Sequence, residues 1–345
     1  MIYPWQHDDW ARIQALSGHW PHALLLHGQA GTGKAEFARY LAQGLLCEAR
    51  RDNGEPCGHC VACTWFAQGN HPDYRMVVPE SLAAEWAPGS VDDNPTEPAA
   101  DSEGGKKTKT LSREIKIEQV RALLGFCGVG SHRGGARVVV LYPAEALNTA
   151  AANALLKTLE EPPAGIVFLL VSARLDRLLP TIISRCRQWP LAAPQPQAAL
   201  AWLQQQGVAD GAGMLAEAGG APLGALALSR DPNQGLRRQT LEQFAAGAAC
   251  DAFACGEALQ KAPIALVLGW LQRWLFDLMA TQSAGRSRYY PGSAAALARC
   301  AAQADAQRLA RFVRVVNSQR AVENHPLNAR LVIEELMLGY RDIFI

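Results

Sequence analysis

The sequence predicts an α/β phosphate-loop domain with a parallel sheet, followed by helices to the end of the chain. Three observations carry this reading. Residues 23–35 read ALLLHGQAGTGKA, a strand-length apolar run that enters a glycine-rich loop and then a helical pattern. Two continuous apolar runs, Arg137–Tyr142 (RVVVLY) and Gly165–Ser172 (GIVFLLVS), suit parallel strands buried on both faces. From Ala198 onward, apolar residues recur at helical spacing.

The bulk numbers narrow the class. A chain of 345 residues holds two or three domains, and 49% apolar content supplies buried cores. The net charge of +1 excludes an overwhelming basic footprint, so any nucleic-acid contact is local or made through partners. No apolar run reaches membrane-spanning length, and the start MIYPWQHDDW lacks the layout of a signal peptide. A cytoplasmic protein is expected. Its nine cysteines are then thiols or metal ligands and not disulfides.

In chain order, Trp5, Trp10, Ile13 and Leu16 fit the core side of an amphipathic helix. Ala23–His27 is a strand. Gly28–Lys34 matches the phosphate-loop spacing, with Gly28, Gly31 and Gly33 freeing the backbone to aim N–H groups at phosphate and Lys34 reaching the terminal phosphates. Ala35–Leu46 continues as a helix whose N-terminus faces the anion. Position 35 is Ala, where a magnesium-binding hydroxyl belongs, so the loop is fitted for phosphate and poorly fitted for the metal. Phosphate, ADP or ATP would bind it weakly, without turnover.

Cys57, Cys60 and Cys63 follow at metal-ligand spacing, and Cys47 can return as fourth ligand to close a structural zinc site; His59 or His71 is the alternative fourth ligand. Residues 80–113 are rich in proline, acids and glycine and end in Lys106, Lys107 and Lys109, the pattern of a flexible surface insertion. Ile115–Phe126 is helical. Arg137–Tyr142 is a strand, but Tyr142 and Pro143 stand where a working ATPase carries its acidic pair, and Glu145 lies beyond the strand end, poorly placed to substitute. Asn148–Glu161 is a helix ended by Pro162-Pro163, and Gly165–Ser172 is a strand. A helical turn at Leu178–Ile183 and a strand-like Gln188–Leu191 follow. Proline-punctuated linkers at Leu191–Gln197 and Asp231–Gly235 divide the rest. The expected domains are 1–190, with a zinc module at 47–63 and the insertion at 80–113, then 191–232 and 233–345. In the last, wide apolar stripes mark Leu266–Met279, Arg308–Arg320 and Leu327–Tyr340, the latter through Ala329, Val332, Leu336 and Tyr340.

NALLKTLEEPP at 153–163, FLL at 168–170, Ser184-Arg185-Cys186, the triple-cysteine segment and HPDY at 71–74 together resemble the bacterial clamp-loader subunits of DNA polymerase III. The resemblance covers most of the chain and is sharpest over 21–76 and 137–187. It implies an AAA+ phosphate-loop domain with a zinc-binding insertion, a small helical lid and an all-α collar that holds a ring together. It also implies partnership with gamma/tau and delta subunits, and with the sliding clamp and primed DNA through the complex. Within the family the pattern is nearer the delta-prime branch than the ATP-hydrolysing gamma/tau branch, because Ala35, Tyr142-Pro143 and Leu223 replace the hydroxyl, the acids and the lid's phosphate-sensing arginine. No ATPase activity of its own is then expected from a chain that works within the DNA-synthesising holoenzyme. The resemblance places Arg185 at a subunit boundary, as an arginine finger toward a neighbour's ATP site; from the residues alone, Arg185 would pair with a local carboxylate such as Asp176. An ATP-hydrolysing gamma/tau-type subunit is the main alternative. A small-molecule kinase built on the same loop lacks the hydroxyl and leaves the cysteines unexplained.

Overall fold

Five short strands form one all-parallel sheet: β1 (Ala23–His27), β2 (Tyr74–Val77), β3 (Arg137–Leu141), β4 (Ile166–Ser172) and β5 (Arg187–Pro190), in the order β2-β3-β4-β1-β5. This computed structural model describes residues 2–87, 111–128, 130–319 and 328–344. The chain divides into two units, residues 1–193 and 194–345.

In the first unit the sheet is covered by α1 (His7–Gln14), α2 (Lys34–Leu46), α4 (Ile117–Cys127) and α5 (Thr149–Glu160), with α3 (Val61–Ala67) and α6 (Pro180–Ile183) outside it. Successive strand residues point to opposite faces. Leu25, Val139, Leu141, Phe168 and Leu170 therefore meet α4 and α5, while Leu24, Leu26, Val138, Val140 and Leu169 meet α1 and α2. Both faces are dry, so β3 and β4 are buried at every residue, as continuous apolar runs require. Asn148 caps α5 by accepting the Ala151 N–H at 2.8 Å, and Pro162-Pro163 follows its end.

β2 is a strand that the apolar pattern did not reveal. Its YRMV sequence sits at the sheet edge with only Val77 buried, and pairing with β3 makes it a strand. Arg75 is held over the Phe126 ring at 4.8 Å. The described ends of the segment 80–113 are tied to each other. There Ser81 N–H donates to Ser112 O at 3.0 Å, and Glu80 receives Lys116 at 2.8 Å and Ser112 N–H at 3.1 Å. Lys106, Lys107 and Lys109 lie outside the described residues.

The second unit is helical: α7 (Pro196–Gln205), α8 (Gly211–Glu217), α9 (Pro222–Ser229), α10 (Gln234–Ala245), α11 (Ala252–Leu259), α12 (Ile264–Ala284), α13 (Ala294–Gln303), α14 (Ala306–Gln319) and α15 (Ala329–Arg341). Ala199, Leu203, Leu215 and Ala225 make a small core for α7–α9. A much larger core surrounds α12, where Trp270, Leu271, Trp274 and Leu278 are fully buried. α12 is the one described helix long and apolar enough to cross a membrane by length and mean hydropathy, a length the sequence pattern did not suggest. Its apolar residues are spent on this core. Trp274 Nε1 donates to Tyr340 Oη at 2.9 Å, and Tyr340 Oη donates to Phe244 O at 2.6 Å, so one buried chain of hydrogen bonds ties α12, α15 and α10. Asp277, fully buried, accepts the N–H groups of Arg288, Tyr289 and Tyr290 at 2.7–3.1 Å and fixes the turn after α12. The buried stripe of α15 runs through Ile333, Leu336, Met337 and Tyr340, displaced by a residue from the expected Ala329 and Val332, which are half-buried.

Trp274→Ala removes a fully buried indole and the N–H that the Tyr340 oxygen accepts. A loss of about 3–5 kcal/mol is expected for such a core truncation, read as a fall in the denaturant midpoint of the helical unit. Trp274→Phe should lose clearly less.

Candidate phosphate loop, tetracysteine cluster and exposed arginine

Gly28–Lys34 connects β1 to α2, at the carboxyl end of the strand flanked by β4 and β5. The chain leaves β1 for the far edge of the sheet and later crosses back to β5, so the loop lies at a topological switch point, where open α/β sheets bind ligands. Gly33 is left-handed (φ 83°), and a Cβ there would lie 2.4 Å from the Tyr3 ring; one on Gly28 would lie 2.8 Å from the Leu191 carbonyl oxygen. Gly31 is also left-handed, at φ 73°. Lys34 is 5% exposed and donates to the Gln29 carbonyl of its own loop. Burial brings its pKa down to about 8, against the pull of the Glu145 and Glu36 carboxylates.

The first residues of the chain close over this loop. Trp5 was expected on a core helix; it lies instead in a 3-10 turn, Pro4–Gln6, and its Nε1 donates to Thr32 O at 2.9 Å. Gln6 Nε2 donates to Thr32 O at 3.1 Å and Gly33 O at 2.8 Å. No pattern in the sequence marks Tyr3, Trp5 and Gln6 as loop contacts, because the contact exists only once β1 is folded. Trp10, Ile13 and Leu16 are core residues, as expected.

Ala35 is buried, 3% exposed, at the hydroxyl position. Tyr142 follows the end of β3, packs on Trp86 at 5.4 Å between centroids, and has its phenol pushed up to about 12 by burial and by Glu36, Glu85 and Glu145. Glu145 reaches back further than its sequence position suggested. Oε1 accepts the Ala173 N–H, just beyond β4, at 3.1 Å, and its charge acts on Lys34. Oε2 is buried without a hydrogen-bond partner among the described residues.

Cys47 at the end of α2, Cys57 in the following loop, Cys60 at the N-cap of α3 and Cys63 in its first turn converge, with all four sulfurs within 4.8 Å of one another. Cys47–Cys60 is 3.9 Å and Cys57–Cys63 is 4.0 Å. Four thiolates around zinc at Zn–S about 2.3 Å have sulfurs about 3.8 Å apart, so the set fits a tetrahedral structural site. N–H groups of Cys57, Cys60 and Cys63 donate to the sulfurs of Cys47, Cys57 and Cys60 at 3.3–3.4 Å, which favours thiolates. Burial alone would raise the Cys60 thiol, but N–H groups of Cys63 and Glu48 and the neighbouring thiols bring it down to about 6. Among the described residues neither His59 nor His71 joins the four sulfurs; His59 Nδ1 bonds Cys57 O at 3.0 Å, and His71 Nδ1 accepts the Asp73 N–H at 3.1 Å.

Arg185 follows the short α6, with its side chain 32% exposed. It pairs with Glu160 at the end of α5 and donates to Thr181 O at 3.0 Å. Asp176, the partner suggested by sequence proximity, is taken by Arg174 at 2.7 and 2.9 Å, because the two share one tight 3-10 turn. Leu223 lies in the first turn of α9.

A phosphate-loop α/β unit with a four-cysteine cluster, continued by a helical unit, defines the class of this protein. Sequence profiles described as "DNA polymerase III, delta subunit" and "DNA polymerase III, delta subunit, C terminal" match residues 9–195 and 234–342. DNA polymerase III subunit delta' of Pseudomonas aeruginosa is 36% identical over 293 residues, 81% of this chain and 78% of that one. The Escherichia coli subunit delta' is 33% identical over 285 residues, 80% and 76%. Subunit tau of Salmonella typhimurium is 33% identical over 172 residues, half of this chain and 22% of that one. The chain belongs to the DNA polymerase III delta-prime subunit family, related to gamma/tau.

Two outcomes follow from the site. Lys34 is depressed below its ordinary value of 10.5 to about 8, so the unfolded chain binds the extra proton between these values and stability rises with pH there. Lys34→Met removes that rise, measured as the difference between wild-type and variant unfolding free energies from pH 8 to pH 10.5. Elemental analysis of protein prepared without chelator should find one zinc per chain. Cys57→Ser should lose it and lower the melting temperature, since such sites contribute about 10–16 kcal/mol in small zinc-finger peptides.

Proposed function

We propose that this chain is the non-hydrolysing delta-prime subunit of a DNA polymerase III clamp loader, and that it helps load the sliding clamp on primed DNA by supplying Arg185 to the ATP site of an adjacent gamma/tau subunit. In this reading residues 1–190 are an AAA+ domain, 191–232 a lid, and 233–345 a collar that binds gamma/tau and delta subunits. Zinc on Cys47, Cys57, Cys60 and Cys63 holds the insertion after α2 in shape.

The observation that carries the reading is the state of the chain's own loop. Gly28, Gly31, Gly33 and Lys34 keep the phosphate-loop geometry, yet buried Ala35 stands at the metal hydroxyl and the Tyr142 phenol at the acid position. Backbone N–H groups and a lysine suffice to hold an anion, whereas hydrolysis needs a held metal and an oriented water. A chain so equipped acts on ATP only through a partner's site. Arg185 suits that task because its guanidinium is always charged, is partly exposed, and makes paired hydrogen bonds to phosphate oxygens. Arginine fingers supplied in trans raise rates about 10³–10⁵-fold in well-studied GTPases.

The competing role for Arg185 is structural, through Glu160, and two variants separate them. In a loader reconstituted with gamma/tau and delta subunits, Arg185→Ala should assemble, keep its unfolding free energy within about 1 kcal/mol of the wild type, as for an exposed ion pair, and slow DNA- and clamp-stimulated ATP hydrolysis at least tenfold. Glu160→Gln breaks the same ion pair and should leave hydrolysis near normal. Equal effects of the two variants, or normal hydrolysis with Arg185→Ala at saturating ATP, would falsify the finger.

A further inference from the structure

Charge is distributed unevenly in this chain. The whole carries +1, yet residues 278–319 hold six arginines, no lysine and one acid, a net of +5. Arg286, Arg288, Arg299, Arg308, Arg311 and Arg314 are all exposed. Among the described residues none of them has a carboxylate within ion-pair distance, unlike Arg237 and Arg330 in the same unit. Their remaining side-chain hydrogen bonds go to main-chain carbonyls: Arg299 to Ala245 O at 3.1 Å, Arg308 to Asp342 O at 3.1 Å, Arg311 to Gln307 O at 3.4 Å. The single acid, Asp305, is used as a cap that accepts the Arg308 N–H at 2.8 Å. Arg308, Arg311 and Arg314 recur every third residue along the exposed side of α14 and span about 9 Å of helix axis. Gln282, near the end of α12, donates to Ala301 O and Ala304 O at 2.9 and 2.8 Å, which ties the end of α12 to the end of α13.

We propose that this arginine face, centred on α14, is a docking surface for the phosphodiester backbone of nucleic acid, read without regard to sequence. Unpaired guanidiniums in a row are the electrostatic footprint of such binding, and arginine matches phosphate with two parallel hydrogen bonds. An acidic protein partner is the less fitting occupant. Protein interfaces centre on large apolar or aromatic anchors, and Val315 is the one large apolar side chain exposed on α13 and α14. Phosphate contacts need cations alone and position a strand without reading its bases. The surface is separate from Arg185 and is measured on the isolated chain, so it stands or falls apart from the finger reading.

The test is fluorescence anisotropy of labelled single-stranded and primed DNA with the full chain, from about 50 to 200 mM salt, where each phosphate contact contributes to the slope of log K against log salt. The wild type should bind with a steep slope. R311E/R314E should lower affinity at least tenfold at low salt and reduce the slope by about two contacts' worth, with unchanged melting temperature. R311K/R314K should keep most of the affinity. R51E/R121E, an equal charge change in the first unit, should bind like the wild type. Should R311E/R314E fold poorly, R311Q/R314Q reads the same loss. Absence of salt-dependent binding by the wild type, or equal losses in R311E/R314E and R51E/R121E, overturns the proposal. So does binding of polyglutamate in preference to DNA that R311E/R314E abolishes, which would assign the face to an acidic protein.

Discussion

The structure of the first unit depends on the position of β1 between β4 and β5. Two sets of parallel hydrogen bonds, Ala23–His27 with Phe168–Ser172 and Leu24–His27 with Arg187–Pro190, hold it at the centre of the sheet. An edge strand would leave half its N–H and C=O groups to solvent, and the loop after it would move with the edge. From the centre, β1 sets Gly28–Lys34 against the ends of its neighbours. Leu191 after β5 packs on Gly28, and Ala173 after β4 anchors Glu145 beneath the lysine. Tyr3, Trp5 and Gln6 then seal the loop from above, so its carbonyls at Thr32 and Gly33 are satisfied within the chain.

That arrangement separates two properties that a phosphate loop usually combines. The backbone shape is kept, with Gly31 and Gly33 left-handed and no room for a Cβ on Gly33 against Tyr3. The side chains differ, since buried Ala35 offers no hydroxyl at position 35 and Tyr142 offers no carboxylate at the end of β3. Lys34 remains buried because a desolvated ammonium beside a carbonyl and two carboxylates is tolerable, at the cost of a depressed pKa.

The cysteine cluster and the helical unit show two ways of fixing a fold with few contacts. The insertion after α2 has almost no apolar core of its own, and convergence of four thiols replaces one. The helical unit instead spends Trp270 and Trp274 on a single central helix and satisfies their surroundings with the Tyr340 and Asp277 hydrogen bonds. Buried hydrogen bonds of this kind favour one packing, where apolar stripes alone would allow several.

How much of this was legible in the residues depends on whether the signal was local. The sequence by itself determined β1, β3 and β4 nearly to the residue, the glycine loop, the four cysteines and the order of helices, because continuous apolar runs, required backbone angles and ligand spacing are properties of neighbouring residues. Ala35 and Tyr142 are likewise read directly, one after the lysine and one at the end of β3. Tertiary structure decided the rest. β2 is a strand only through β3, Trp5 belongs to the loop only because the chain's start folds back on it, and Arg185 meets Glu160 because α5 and α6 are neighbours in space. The exposed stripe of arginines on α14 was present in the sequence too. Which side of that helix faced solvent, and that no carboxylate among the described residues came to meet it, was fixed by packing against α12, a choice made by long-range contacts that no local pattern encodes.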